Sequence, residues 1–169
     1  YSSANSLGIT REGTTSSETI NGTSKDDQLT LRSGNDVSNA GAGNDIQSGG
    51  SGNDKLTGGS GFDRISGGSG KDTLDGGTGL DILQGDSGDD LILGGSGADR
   101  ITGGTGRDTM TGGSGADVFI FTGREDVMTT ITDFKSSEGD KLKILAAVYG
   151  YLGIFTPVLG TDPNPTVSG

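Results

Sequence analysis

One large apolar residue returns every nine positions through most of this chain, at Leu29, Leu56, Ile65, Leu74, Leu83, Ile92, Ile101, Met110 and Phe119. Its two neighbours are mixed in character. A single apolar position between outward-facing neighbours predicts a strand of about three residues. The six residues between such strands follow one plan, with glycine at the first, second and fourth places and aspartate at the sixth, as in GGSGND (49–54) and GGSGFD (58–63). Glycine reaches positive φ at little steric cost, so each stretch predicts a sharp turn.

Strand and turn together make nine residues, and two such units close one coil of 18. Coils stacked at the strand spacing form two parallel sheets with the apolar side chains between them. The predicted fold is all-β: a parallel β-roll, a right-handed β-solenoid, with a short C-terminal capping segment. Ser38 and Gln47 stand where the period requires an apolar residue, and Val37 and Ile46 lie one place earlier. A one-residue slip turns every strand side chain to the other face. The first coils are therefore expected to be imperfect in register or packing.

Four segments follow. Residues 1–17 are Ser/Thr-rich and unpatterned, a linker or frayed edge. Residues 18–121 are the roll, with GTSKDDQLT (22–30) as a degenerate first repeat and Ile20 as its leading strand residue. Glycine turns stop after GGSGADVFIF (112–121); FTGRED keeps an aspartate in step at Asp126 without the glycines. Residues 122–155 form a cap in which TTITDFKSSEGDKLKIL (129–145) alternates around an SSEGD turn. Residues 156–169 are rich in Pro, Gly and Asn and form a loose tail.

Composition raises an energetic problem. Apolar residues are 28% of the 169, glycines number 35, and the net charge is −11. Such a chain buries little apolar surface, orders many glycines and repels itself. Two readings survive, a disordered acidic segment or a fold that takes up cations. Nucleic acid is excluded as a partner because a basic surface is missing. Without Cys or His there is no disulfide, thiolate zinc site, Cys nucleophile or His base. No apolar run is long enough to span a membrane.

The aspartates answer the problem. They fall at Asp27, Asp36, Asp45, Asp54, Asp63, Asp72, Asp81, Asp90, Asp99, Asp108 and Asp117, a constant step of nine. Turns 18 residues apart are one strand spacing apart in the coil, so Asp54 is expected to face Asp72, and nine such pairs run from Asp27/Asp45 to Asp99/Asp117. Paired carboxylates with inward carbonyls make a hard, all-oxygen site suited to Ca²⁺, which accepts six to eight oxygens flexibly, more than to Mg²⁺. Metal ligands are expected from Asp36 through Asp117, with several Ca²⁺ ions held. The first pair is expected to be defective, because Thr23 and Lys25 replace glycines. Asp86, in place of a second glycine, is expected to weaken its neighbouring sites. No catalytic residues are expected, since every repeated aspartate is already used.

GGSGNDKLT, GGSGFDRIS, GGSGKDTLD and GGSGADRIT resemble the nonapeptides of the RTX (repeats-in-toxin, haemolysin-type) calcium-binding family over about residues 20–145. The resemblance implies a module of a protein exported unfolded by type I secretion machinery, folding outside the cell or at the bacterial surface where calcium is abundant. The module would stabilise or chaperone parent domains on its N-terminal side. GADVFIF, ITDF and GDKLKI are similar to the segment after the roll in serralysin-type proteases, mannuronan epimerase modules and RTX adhesins. That similarity implies a terminal calcium helped by Asp133 and Asp140. Three parents stay open: a protease, lipase or toxin; an epimerase for which this is an accessory module binding an anionic polysaccharide such as alginate; or an adhesin. Lys55, Arg64 and Arg100 would form the polysaccharide contact, and Ile82, Leu91 and Leu93 are outward apolar positions.

Overall fold

The computed structural model describes residues 8–122 and 128–144, and the backbone of 158–159. Short strands alternate with the glycine turns: β1 (Thr10–Glu12), β2 (Thr19–Asn21), β3 (Gln28–Thr30), β4 (Val37–Ala42), β5 (Ile46–Ser51), β6 (Lys55–Ser60), β7 (Arg64–Ser69), β8 (Thr73–Thr78), β9 (Ile82–Ser87), β10 (Leu91–Ser96), β11 (Arg100–Thr105), β12 (Thr109–Ser114), β13 (Val118–Phe121), β14 (Thr130–Ile131), β15 (Lys141–Ile144) and β16 (Val158–Leu159). Odd-numbered strands build one eight-stranded sheet and even-numbered strands the other. Every pairing is parallel, and through the repeats the partner of each residue is 18 positions away, as in Leu56↔Leu74 and Ile65↔Leu83. The chain is the expected β-solenoid.

Most strands run to six residues, longer than the triplet expected, because the backbone ladder continues through the glycines: Gly41 pairs with Gly59 and Gly59 with Gly77. The apolar period fills the space between the sheets. Leu29, Leu56, Ile65, Leu74, Leu83, Ile92, Ile101, Met110 and Phe119 are all buried. The roll is closed at its C-terminal end by Phe134, whose ring lies 6.2 Å from that of Phe119, and by Leu142 of β15.

The expected slip at Ser38 and Gln47 does not occur. Ser38 pairs with Leu56 and Gln47 with Ile65 in the common register, both polar side chains are buried, and Val37 and Ile46 are exposed at 43% and 49%. The two polar groups satisfy each other: Ser38 Oγ donates to Gln47 Oε1, and Gln47 Nε2 donates to the Thr57 carbonyl at 2.7 Å. Buried polar groups are tolerated when hydrogen-bonded, and the turns on both sides hold the register. Two further elements join the sheets outside the repeats. Thr10–Glu12 pairs with β3 as an outer strand with exposed side chains, and Val158–Leu159 of the tail pairs with β14. Asp126 and residues 145–157 lie outside the described residues.

After the degenerate first turn, where Lys25 stands, the turns leave room for nothing larger than glycine at their fourth place. Gly70 has φ +130°, and a Cβ there would lie 1.9 Å from the carbonyl oxygen of Gly52 in the preceding coil. Gly70→Ala combines backbone strain with a clash against rigid backbone. It should cost about 2–5 kcal/mol in guanidinium unfolding at saturating calcium; a loss below about 1 kcal/mol, the range of ordinary surface changes, would refute this packing.

Candidate metal centre

The step of 18 brings the aspartates together in two files, one on each edge of the roll. The contact within a file is not carboxylate against carboxylate. The backbone N–H of each aspartate donates to Oδ1 of the aspartate one coil on: Asp36 to Asp54 at 2.8 Å, Asp54 to Asp72 at 2.7 Å, Asp63 to Asp81 at 2.8 Å and Asp81 to Asp99 at 2.8 Å. All nine expected pairs, from Asp27/Asp45 to Asp99/Asp117, are joined this way.

The second oxygen is a different matter. Oδ2 of Asp36, Asp45, Asp54, Asp63, Asp72, Asp81, Asp90, Asp99 and Asp117 is buried without a hydrogen-bond partner. A buried acceptor without a partner costs about 1–3 kcal/mol, and more when charged. Nine in one repeated place need a common explanation.

The space beside each Oδ2 supplies it. A Cβ on Gly49 would lie 2.4 Å from Asp54 Oδ2 and 2.4 Å from the Gly67 carbonyl oxygen. The same cradle recurs at Gly58 with Asp63 and Gly76, and at Gly76 with Asp81 and Gly94. The first glycine of each turn thus leaves room between a carboxylate oxygen and a carbonyl oxygen of the next coil. Among the described residues no three acidic side chains converge on one point, so backbone carbonyls must supply most ligands of any cation held there. An all-oxygen set of one carboxylate with carbonyls fits a hard cation, and its flexibility fits Ca²⁺ better than Mg²⁺.

Burial sets the electrostatics. It raises the carboxyls of Asp63, Asp72, Asp81 and Asp99 from 3.8 to about 6, and that of Asp90 to about 7. Neighbouring carboxylates push the same way, while the N–H bond to Oδ1 pulls against them. Asp45, Asp54 and Asp117 are also raised, chiefly by burial.

The file that runs from Asp27 to Asp140 has no orphan oxygen at either end, and the file that opens at Asp36 has none at its last member, Asp108. Thr23, in the degenerate first turn, satisfies Asp27: its N–H and Oγ1 both donate to Oδ2. Thr129 donates to Asp108 Oδ2 at 3.2 Å. Asp140 extends one file, accepting from the Asp117 N–H at 3.0 Å and the Lys135 N–H at 2.8 Å. Asp133 accepts from the N–H groups of Gly112 and Gly113 at 2.8 and 2.7 Å. The structure therefore gives Asp133 and Asp140 backbone hydrogen bonds on both oxygens, an arrangement that ties the capping segment to the roll.

Sequence reasoning missed a second, outer ladder. Oδ1 of Asn35 accepts from the Asn53 N–H, Asn53 from Lys71, Asn44 from Phe62, Asp26 from Asn44 and Asp89 from Arg107. The signal was present: each acceptor stands one place before a repeated aspartate. Asp86, the misfit in its turn, takes φ 75° and stays in register with Gly68 and Gly104, its carboxylate accepting from Ser66 and Gln84.

A family model described as the RTX calcium-binding nonapeptide repeat (4 copies) matches residues 12–47, 48–83 and 84–119, well over half of the chain. No curated protein matches it. The match spans the glycine turns, the apolar period and the files of orphaned oxygens. The chain belongs to the RTX calcium-binding nonapeptide repeat family.

Proposed function

We propose that this module folds when it takes up calcium, after unfolded export by type I secretion, and that the folded roll stabilises the secreted protein to which it is attached. The observation that carries the proposal is the set of nine buried Oδ2 atoms without partners. Asp36, Asp45, Asp54, Asp63, Asp72, Asp81, Asp90, Asp99 and Asp117 would be the carboxylate ligands, with carbonyls such as those of Gly67, Gly76 and Gly94 beside them. Bound calcium supplies positive charge and flexible oxygen coordination in the place of the missing hydrogen-bond donors. Without it the folded state holds desolvated carboxylates in file, and the unfolded chain is favoured. A cation that binds only the folded state shifts the balance by mass action. Low calcium inside a cell and abundant calcium outside would then give one sequence two states, threadable and rigid. Asp133, Asp140 and Phe134 serve this reading as the stop that closes the roll.

The test is far-UV circular dichroism during calcium addition to chelator-treated protein, with magnesium in parallel. A steep coil-to-β transition with calcium alone is expected, cooperative because neighbouring coils share turns. β-structure already complete in chelator at neutral pH, or an equal response to magnesium, would refute the proposal.

A further inference from the structure

The first glycine of each turn has a different reason from the others. The second and fourth glycines take positive φ, as Gly50 (101°) and Gly52 (128°) do, whereas no first glycine from Gly49 to Gly112 does. The first place therefore lies outside the left-handed region that favours glycine. What glycine leaves there is space. A Cβ on Gly58 would lie 2.5 Å from Asp63 Oδ2 and 2.6 Å from the Gly76 carbonyl oxygen. A Cβ on Gly76 would lie 2.6 Å from both Asp81 Oδ2 and the Gly94 carbonyl oxygen. Calcium–oxygen distances are about 2.3–2.6 Å. A side chain at the first place and a cation in the cradle thus compete for one position.

Two turns carry the side chain. Leu31 and Ala40 stand at the first place of the turns that end in Asp36 and Asp45, and both are fully buried. Oδ2 of Asp36 and of Asp45 is nevertheless without a partner. These turns keep the bare carboxylate and lose the room beside it. The turns before them need no cation. Glu18, nine places before Asp27, accepts from the Thr14 N–H, and Asp27 accepts from the Thr23 N–H. Along the chain the first place of an orphaned carboxylate is filled at Asp36 and Asp45 and open from Asp54 onward.

We propose that the roll holds two classes of calcium site. The open cradles from Asp54 onward fill first, and those of Asp36 and Asp45, gated by Leu31 and Ala40, fill only at higher calcium. A cation enters the second class only when a packed side chain gives way, which should weaken binding about tenfold or more. The coil of β4 and β5, whose core places hold the polar Ser38 and Gln47, then answers to a second calcium threshold above the one that forms the rest of the roll. The inference rests on the calcium-dependent reading of the module.

The test is equilibrium titration of the full chain across a series of calcium buffers, counting bound ions, with circular dichroism on the same samples. Two classes separated by about tenfold or more in free calcium are expected. Ala40→Gly restores the repeat and opens the Asp45 cradle, so it should move one ion from the weak class to the tight one. Asp36→Asn with Asp45→Asn should abolish the weak class and leave the tight class whole. Asp63→Asn with Asp81→Asn should shrink the tight class instead. A folded parent with a single class, an Ala40→Gly chain that gains no tight ion, or loss of tight ions through Asp36→Asn with Asp45→Asn overturns the inference while leaving the calcium reading intact. A chain that neither binds calcium nor gains structure overturns both.

Discussion

In chelator, lowering the pH from 7.5 to about 5.5 should fold this chain without any metal. The metal-free folded state holds Asp63, Asp72, Asp81 and Asp99 with carboxyls raised to about 6, and Asp90 to about 7, chiefly by burial. In the unfolded chain the same groups titrate near 3.8. Between those limits the folded state binds more protons than the unfolded one, so its stability rises as pH falls from about 7 toward 4 and is level below that. A proton on Oδ2 removes the buried charge and adds a donor beside a carbonyl oxygen, as at Gly76 and Gly85. The window stays above the isoelectric point of about 4.2, which limits precipitation. The same protons compete with calcium, so the calcium midpoint should move to higher concentration as pH falls from 7 to 6. Circular dichroism and proton release on calcium addition measure both. A chelated chain equally unstructured at both pH values would show that the files of carboxylates do not oppose folding.

Asparagine at the central positions should do permanently what acid does reversibly. In a chain carrying Asp63→Asn, Asp72→Asn, Asp81→Asn and Asp90→Asn, each Oδ1 still accepts the N–H of the preceding coil, as from Asp45, Asp54, Asp63 and Asp72 in the parent. Each Oδ2 becomes an NH₂ group facing the carbonyl of Gly76, Gly85, Gly94 or Gly103. Four unpartnered charged acceptors become four donors, at about 1–3 kcal/mol or more each. The variant should show β-structure in chelator at neutral pH, take up fewer calcium ions, and lose most of the acid response. A variant that still requires the parent's full complement of calcium to fold would place the ligands elsewhere.

Both predictions rest on a part of the molecule that periodicity alone could not supply. The step of nine in aspartate, glycine and apolar residues was enough for the coil of 18, the two parallel sheets and the apolar file between them, because each of these repeats locally and reinforces its neighbours. It was also enough to place Asp54 beside Asp72 and Asp63 beside Asp81. Where the repeat failed, local reasoning failed with it. Ser38 and Gln47 looked like a slip because a buried polar pair is invisible until the two side chains are seen to meet. Thr10–Glu12 looked unpatterned because an edge strand borrows its order from the sheet it joins.

The chemistry of the carboxylates was decided by the tertiary structure. Sequence determined that eleven aspartates stand in register, and their residue type determined a preference for a hard cation. Only the coil divided each carboxylate into an oxygen bound to backbone N–H and an oxygen left bare beside a glycine. Only the coil gave Asp27 to Thr23, Asp108 to Thr129, and Asp133 and Asp140 to backbone N–H groups. It also sorted the bases, setting Arg64 and Arg100 on one sheet and Lys55 on the other. The physical reason is distance along the chain. A period is a property of neighbours in sequence, whereas a hydrogen bond across 18 residues, or a row of side chains on alternate coils, exists only once the chain has closed on itself.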